Sequence, residues 1–420
     1  MTLQGSVAVH GNIAQWPETE LRSFLRQTDR TGAVDLPLLG VGLHEGVRER
    51  YNNDGRPAAS EDLSAYKIVQ EGDVVMNRLG KPHGSVGVSP IPGITSPAYW
   101  VMEIDRGRAH PSFVHHLLRS RHLVREYERL GKYMPPNQFD ISWDAFRSIE
   151  VPLPPQDEQC RIAEFLDAET SQIDRLVGLR ASQEGALAAR MQSHLSQLAQ
   201  ALMEQYGSIR VRHVLRKIEQ GWSPQCEDRP AIDDEWGVIK AGCVNGGAFI
   251  PSQQKVLPND IEPEPRYRLY PGDLLMSRAS GSVDLIGSIA VLPDDLPSRL
   301  LLCDKVYRLH LDRNRMSPHF VAYFLRTLQV REQIKLGISG AEGMANNLPT
   351  ATVTNLLVPE VPLTEQQQVV SDLDNLWSAT QRTAQTLRHQ VSVLAERRQA
   401  LITAAVTGQI DVTTARGVAV

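Results

Sequence analysis

Two arginines at matching places in the chain have the chemistry of recognition. Arg78 ends a Gly-Asp-apolar-apolar-Met-x-Arg segment at residues 72–78, and Arg278 ends the same pattern at residues 272–278. A guanidinium can donate paired hydrogen bonds to a phosphate or to O6 and N7 of guanine, and an asparagine such as Asn77 can pair similarly with adenine. Because the two arginines match, we expect both of them to contact phosphate or hold the fold rather than read bases.

Residues that read bases are expected at positions that differ between the two halves of the chain, because only such positions can specify different targets. The candidates are arginine, lysine, asparagine and tyrosine side chains in predicted loops. The predicted nucleic-acid contact residues are Asn77, Arg78, Lys81, Lys132, Tyr133, Asn137, Arg266, Tyr267, Arg268, Ser277, Arg278, Asn346 and Asn347.

The sequence lacks the motifs of the catalytic chemistry that such contacts could accompany. Residues 134–137 read Met-Pro-Pro-Asn, the reverse of the Asn-Pro-Pro order of a base-modifying site, and Gly80-Lys81 lacks the glycine spacing and the following Ser or Thr of a phosphate loop. His115 and His116 are adjacent on a predicted helix and lack a third ligand. We therefore expect no catalytic residue, no metal and no cofactor bound by this chain.

The size and composition place the chain among ordinary globular proteins. At 420 residues it exceeds what one hydrophobic core usually serves, so two or more domains are expected. No apolar run approaches the roughly 20 residues that span a bilayer, and the start of the chain has no signal-peptide pattern. The four cysteines are too far apart for a metal or redox motif. We expect a cytoplasmic location, no membrane association and reduced thiols.

The net charge of −5 argues against nucleic-acid binding unless basic residues are concentrated locally. The charge is −1 for residues 1–150, −4 for 151–207, +1 for 208–357 and −1 for 358–420. The two larger blocks are therefore nearly neutral and could each present one basic face. The weak overall charge suggests that a partner protein supplies some of the contacts to a nucleic acid.

The chain contains an internal repeat, which decides how the rest is interpreted. Residues 151–159 match residues 358–366 at an offset of 207, and across the 45 paired positions that begin at Val151 there are 14 identities without a gap. Further upstream, residues 72–78 face residues 272–278 at an offset of 200, which indicates a loop difference of seven residues. The order of the chain is therefore domain, helix, domain, helix.

Each larger block mixes short apolar runs with Gly, Pro and Asn, and each contains one helical stretch, which predicts an α+β fold. Proline-rich segments then lead into long apolar periodicities, so they are predicted hinges before helices. The predicted divisions are a first domain at 1–150, a central helical region at 151–207, a second domain at 208–357 and a distal helical region at 358–420.

Apolar residues recur at spacings of three and four in both helical regions, as in a heptad seam. Two equivalent domain-helix units can pair with pseudo-two-fold symmetry, so we expect the helices to form an antiparallel coiled coil. The alternative is that each helix packs on its own domain. Gly178 and Gly185 leave a break in the first helix open. The predicted helix-pairing residues are Leu166, Ile173, Leu176, Leu187, Met191, Leu198, Leu373, Leu387, Val391, Leu394 and Leu401.

This arrangement resembles the specificity subunits of type I restriction-modification systems. The resemblance rests on the repeated Val-Pro to Glu-Gln passage, the Gly-Asp segments, the run at residues 169–174 and the ending at residues 394–411. It implies one target recognition domain for each half of an asymmetric, bipartite DNA site, with the helices setting their separation. It also implies a complex with two methyltransferase subunits, which bind S-adenosylmethionine, and with restriction subunits, which use ATP and Mg²⁺.

Two other interpretations remain open at the level of the sequence. One is the recognition subunit of a two-subunit type II system that cuts on both sides of its site, which neighbouring genes would reveal. The other is a coiled-coil scaffold that joins two protein-binding domains and never touches DNA. The weak net charge favours the scaffold, and salt dependence of DNA binding would decide between the two classes.

Overall fold

The structure, a computed structural model, describes residues 16–32, 35–43, 45–50, 62–79, 85–134, 138–339 and 346–412. The chain divides into two compact units. Unit 1 comprises Met1–Ala181 and Arg388–Val420, and unit 2 comprises Ser182–Leu387. Each unit therefore combines one α+β block with parts of both long helices. The sequence boundaries at residues 150, 207 and 357 stay a prediction.

The elements up to the first long helix are short strands followed by short helices. The strands are β1 Glu18–Glu20, β2 Leu25–Thr28, β3 Leu39–Gly42, β4 Gly46–Glu49, β5 Lys67–Val69, β6 Val74–Met76, β7 Val86–Val88, β8 Gly93–Thr95, β9 Trp100–Ile104, β10 Lys132–Met134, β11 Gln138–Asp140 and β12 Glu150–Pro152. The helices are α1 Pro111–Leu118, α2 Arg121–Leu130, α3 Trp143–Arg147 and the long α4 Gln156–Tyr206.

The remaining elements repeat this plan. The strands are β13 Ser208–Arg210, β14 Leu215–Gln220, β15 Gly237–Ile239, β16 Gln254–Val256, β17 Leu274–Ser277, β18 Ala279–Ser280, β19 Ile289–Val291, β20 Leu300–Leu301, β21 Val306–Leu311, β22 Asn346–Asn347 and β23 Leu357–Pro359. The helices are α5 Pro318–Phe324, α6 Leu328–Gly337, α7 Thr350–Asn355 and the long α8 Leu363–Val406.

The central sheet has the same topology in both units. Its strand order is β2-β9-β6-β7 in unit 1 and β14-β21-β17-β19 in unit 2. The register also agrees, because Val74 faces Met102 and Leu274 faces Leu309, residues related by the sequence offsets of 200 and 207. The repeat read from the sequence is therefore a repeat of the fold.

The central sheet of each unit is covered on both faces. In unit 1, Val74 and Met102 pack with Phe113 of α1 in one buried cluster, whereas Val75 packs with Val41 of β3 in another. Burying a side chain of this size contributes roughly 1.5–3 kcal/mol. Unit 2 has the same two layers, and these layers confirm the predicted α+β class.

The Gly-Asp pair that recurs in the sequence forms a tight turn before the central strands β6 and β17. Gly72 and Gly272 adopt φ values of 89° and 76°, a region that favours glycine. The carboxylates of Asp73 and Asp273 then accept hydrogen bonds from the backbone N–H groups of Gln70 and Tyr270, at 2.8 and 3.0 Å. This motif therefore has a structural role.

A buried glutamine joins α4 to the domain of unit 1. Gln159 is fully buried, and its Oε1 accepts a hydrogen bond from the backbone N–H of His110 at 2.7 Å. Its Nε2 donates to the backbone oxygens of Arg108 at 3.0 Å and of Pro154 at 2.8 Å. One side chain thus connects the start of α4, the proline hinge and the segment before α1.

Gln366 makes the equivalent connection in unit 2. It is also fully buried, and its Oε1 accepts from the backbone N–H of Ser317 at 2.8 Å. Its Nε2 donates to the backbone oxygens of Arg315 at 2.9 Å and of Val361 at 2.8 Å. Each partner lies 207 residues after its counterpart in unit 1, so the whole connection is duplicated.

The long helices pair within unit 1. Arg398 of α8 donates to the carboxylate of Asp174 of α4 at 3.0 Å. Leu166, eight residues before Asp174, shares a buried cluster with Ile402 and Ala405. Because the contacting residues of α8 have higher numbers where those of α4 have lower numbers, the two helices run antiparallel.

Unit 2 shows antiparallel pairing of the same helices. Met191 and Leu195 of α4 share a buried cluster with Leu373 of α8, and the Tyr206 hydroxyl donates to the carboxylate of Glu365. The expectation that both seams meet is therefore confirmed, and the alternative of each helix packing alone on its own domain is not. α4 also continues through Gly178 and Gly185, two exposed glycines, without a break.

The predicted pairing residues divide into two groups by burial. Leu166, Ile173, Met191 and Leu373 are buried, and the others are half-buried: Leu176, Leu187, Leu198, Leu387, Val391, Leu394 and Leu401. The apolar periodicity did not single out Ala199 and Ile402, which are both buried. Among the described helices, none combines the length and apolar character needed to cross a membrane.

The duplicated glutamine predicts a large stability effect for a nearly isosteric change. Gln159→Leu leaves one N–H and two carbonyl oxygens buried without partners, so we expect unit 1 to lose about 3 kcal/mol of unfolding free energy. Urea denaturation measures this loss. The control is Gln368→Leu, at an exposed glutamine on α8 that pairs with Asp372; it should change stability by less than about 0.5 kcal/mol. Equal stability of the two variants would contradict the role of the buried glutamine.

Candidate nucleic-acid interface

The predicted residues of unit 1 come together beside the hairpin β10–β11. The Arg78 guanidinium donates to the Asp140 carboxylate at 2.7 Å, and Asp140 is the register partner of Lys132. The Asn77 side-chain oxygen accepts a hydrogen bond from the backbone of Leu79 at 3.1 Å. Lys132 is exposed, so it is available to a ligand. Lys81, Asn137 and the side chain of Tyr133 lie outside the described residues.

In unit 2, strand pairing brings together Arg278, Asn346 and Asn347. Strand β22, formed by the two asparagines, pairs with β18, which directly follows Arg278. The backbone N–H of Leu348 also donates to the Arg278 oxygen at 2.9 Å. Ser277 does not fit its predicted contact role, because it is only 1% exposed. All four residues of its strand β17 are buried, because both faces of the central sheet are covered.

The matched arginines have matched surroundings. The guanidinium carbon of Arg78 lies 5.9 Å from the ring centroid of Trp100, and that of Arg278 lies 6.0 Å from the ring of Tyr307. Trp100 and Tyr307 are themselves related by the offset of 207. Such cation–π contacts hold a guanidinium against its sheet. This geometry favours the structural role that the sequence allowed for both arginines.

A buried arginine, Arg308, forms hydrogen bonds to the backbone of the segment 266–268. Arg308, 5% exposed, donates to the backbone oxygens of Arg268 at 2.7 Å and of Arg266 at 2.9 Å. Its charge is balanced by the carboxylates of Glu219 at 2.8 Å and Asp273 at 3.1 Å. Arg308 thus fixes the backbone of two predicted contact residues through their carbonyl oxygens.

Aromatic side chains surround this segment. Tyr267 stacks on Trp222 with ring centroids 6.5 Å apart, and the Arg266 guanidinium lies 4.5 Å from the Tyr267 ring. Trp236 and Tyr270 contact Arg268. Aromatic rings that flank a guanidinium hold its donors in a fixed orientation, which suits the contact of an arginine with a planar acceptor such as a base edge.

Sequence reasoning missed Trp222, Trp236 and Tyr270. Trp222 and Trp236 are distant from Arg268 along the chain, and Tyr270 lies at the turn before β17. Residue spacing alone therefore does not group them with Arg268. A signal does exist for two of them: at the offset of 200, Trp236 and Tyr270 face Leu36 and Gln70. An aromatic residue that replaces a non-aromatic one on a repeated frame is a candidate for contacts particular to one unit.

A basic stripe lies on α2 in unit 1. Arg121, Arg125 and Arg129 are exposed and spaced by four residues, so they share one face of the helix. At the matching positions α6 carries Leu328, Glu332 and Leu336. Arg129 forms an ion pair with Glu126 at 2.8 Å, so the basic character of this helix face rests on Arg121 and Arg125.

Sequence relatives of the chain are specificity subunits of type I restriction enzymes. The chain is 26% identical over 195 residues to the type I restriction enzyme EcoEI specificity subunit of Escherichia coli, a match that covers 44% of this chain and 32% of that protein. It is 23% identical over 317 residues to the StySPI specificity subunit of Salmonella potsdam, covering 71% of this chain and 65% of that protein. The matches thus span less than two thirds of either relative. No protein-family model matches the chain.

The fold has a solved counterpart. A chain from a study of complex assembly and conformational transition of the type I R-M system superposes with a TM-score of 0.66 at 18% identity, over 94% of this chain and 98% of that one. The chain therefore has a fold found in type I restriction-modification systems. The resemblance to type I specificity subunits that the sequence indicated is confirmed by the relatives.

The network below segment 266–268 predicts acid sensitivity of unit 2. Burial raises the pKa of Glu219, but hydrogen bonds from Arg308, His310 and Lys217 outweigh it and lower the pKa from 4.5 to about 2. A lowered folded-state pKa means that this stabilisation is complete above pH 4.5 and is lost as the pH falls toward 2.

We expect wild-type unit 2 to lose about 1–2 kcal/mol more stability than a Glu219→Gln variant between pH 5 and pH 3. Urea denaturation across this range measures the difference. The control is Glu332→Gln, at an exposed carboxylate, which should keep the wild-type pH profile. Parallel profiles for wild type and Glu219→Gln would contradict the predicted role of the Glu219 charge.

Proposed function

We propose that the chain is the DNA sequence-specificity subunit of a type I restriction-modification complex. Each unit binds one half of an asymmetric, bipartite DNA site, and the subunit itself is non-catalytic. The observation that carries this proposal is the repetition of one frame with different exposed side chains, such as Arg121 of unit 1 where unit 2 has Leu328. A duplicated frame supplies two readers, and its differing surfaces supply two targets.

The complex that we propose follows from the relatives rather than from a site on this chain. Two methyltransferase subunits would bind S-adenosylmethionine and modify the target, and restriction subunits would use ATP and Mg²⁺. This chain would bind none of these cofactors and would direct the partners to their site. Because the complex acts on the DNA of the cell, we propose a cytoplasmic location.

The paired helices suit the spacing of the two half-sites. α4 has 51 residues and α8 has 44, which correspond to roughly 75 Å and 65 Å at 1.5 Å per residue. Duplex DNA repeats its groove presentation about every 10 base pairs, so stiff helices of this length suit an unread gap between two read segments. The relatives are named as type I subunits and do not favour the two-subunit type II or scaffold alternatives.

A footprint of the chain assembled with its methyltransferase subunits tests the proposal. We expect two short protected segments separated by an unprotected gap, because each unit contacts its own half-site. Affinity should fall steeply with salt, by about 10³- to 10⁵-fold between 50 and 200 mM if six to ten phosphates are contacted. One continuous footprint would contradict the bipartite reading. Binding that is insensitive to salt would favour the scaffold.

A further inference from the structure

Arg268 lies in a rigid setting at the surface of unit 2. Its guanidinium carbon is 5.5 Å from the ring centroid of Tyr270 and 5.9 Å from that of Trp236. Its backbone forms a bridge with Leu301, and its carbonyl oxygen accepts the hydrogen bond from Arg308. The side chain is half-buried, so both its position and its orientation are constrained before any ligand arrives.

The hydrogen-bonding capacity of Arg268 is unused within the described part of the chain. Its Nε is buried and lacks a hydrogen-bond partner among the described residues. By contrast, its neighbour Arg266 pairs with Glu264 at 3.3 Å, and Arg229 pairs with Glu235 at 2.7 Å. The Nε is out of reach of a ligand, but the terminal nitrogens of the guanidinium make no hydrogen bond or ion pair with the described residues, and the aromatic rings offset the charge without accepting these N–H bonds. The terminal N–H groups are therefore suited to a ligand that brings acceptors.

The equivalent position in unit 1 carries no arginine. Ile68 pairs with Ile94, and Arg268 pairs with Leu301, the residue 207 positions after Ile94. The two backbones are thus equivalent, yet one bears isoleucine and the other arginine. The aromatic neighbours in unit 2 are also replaced, since Leu36 and Gln70 stand at their equivalent positions.

We propose that Arg268 reads a guanine in the half-site bound by unit 2. The guanidinium fork would donate to O6 and N7 of the base, while Trp236 and Tyr270 hold it in the reading orientation. Guanine presents two acceptors on its major-groove edge, which matches a fork that has only donors. A phosphate contact is required in both half-sites and would favour a matched arginine, whereas this arginine is unmatched. The inference rests on the proposed function and assigns one residue within it.

The test compares Arg268→Lys and Arg268→Ile with wild type, each assembled with the methyltransferase subunits. Lysine keeps the charge but loses the fork, and isoleucine is the residue of unit 1. Binding to a library of DNA sites should show that both variants lose the preference for guanine at one position of the second half-site. Affinity for the wild-type site should fall about 5- to 150-fold. The first half-site should be read unchanged.

Arg382→Ala is the control, because it removes an equal charge from an exposed position on α8. It should leave the preference at every position intact. Thermal denaturation checks that the variants remain folded, and Arg268→Lys carries the test if the isoleucine variant does not fold.

Three outcomes would count against the proposal, and a fourth concerns the proposed function alone. Weakening that is equal for all sequences and is restored by lysine indicates a phosphate contact and overturns the guanine assignment. Unchanged affinity and preference show that Arg268 does not contact DNA. A lost preference in the first half-site overturns the assignment to unit 2. If the wild-type complex itself shows no bipartite preference, the proposed function fails before the variants are compared.

Discussion

Two fully buried glutamines, Gln159 and Gln366, carry the constraint on which the rest of the structure depends. Each satisfies three backbone groups where a domain, a proline hinge and a long helix meet. A buried amide of this kind permits one orientation of the helix start, because any other leaves polar groups without partners. The two glutamines therefore fix how each α+β domain is joined to its helix.

Residues that match between the units hold the frame, and we propose that surface residues that differ between the units specify the targets. The first class includes the Gly-Asp turns and the two buried glutamines. It also includes the contacts of Arg78 and Arg278 with Trp100 and Tyr307. Arg268 and the stripe on α2 belong to the second. This separation lets the surface of a reader change without cost to its core, since surface changes away from such features usually alter stability little.

The sequence predicted the repeat, the α+β class and the antiparallel pairing because each depends on offsets or periodicities of residue types, which can be read directly from the sequence. It did not predict the aromatic surroundings of Arg268, since Trp236 reaches it only through the fold. Ser277 shows the opposite error: its residue type suggested contact, but it lies on a strand that is buried on both faces of the sheet. The burial of Ala199 and Ile402 depends on helix rotation, which spacing alone left open.

We propose that the chain holds two independent readers on one repeated frame. Replacing residues 208–357 with the equivalent block of a known type I specificity subunit, and mapping methylated motifs in host DNA by sequencing, tests this most directly. One half of the methylated motif should change to that of the donor, while the other half and the gap length stay the same. A change in both halves, or in neither, would contradict it.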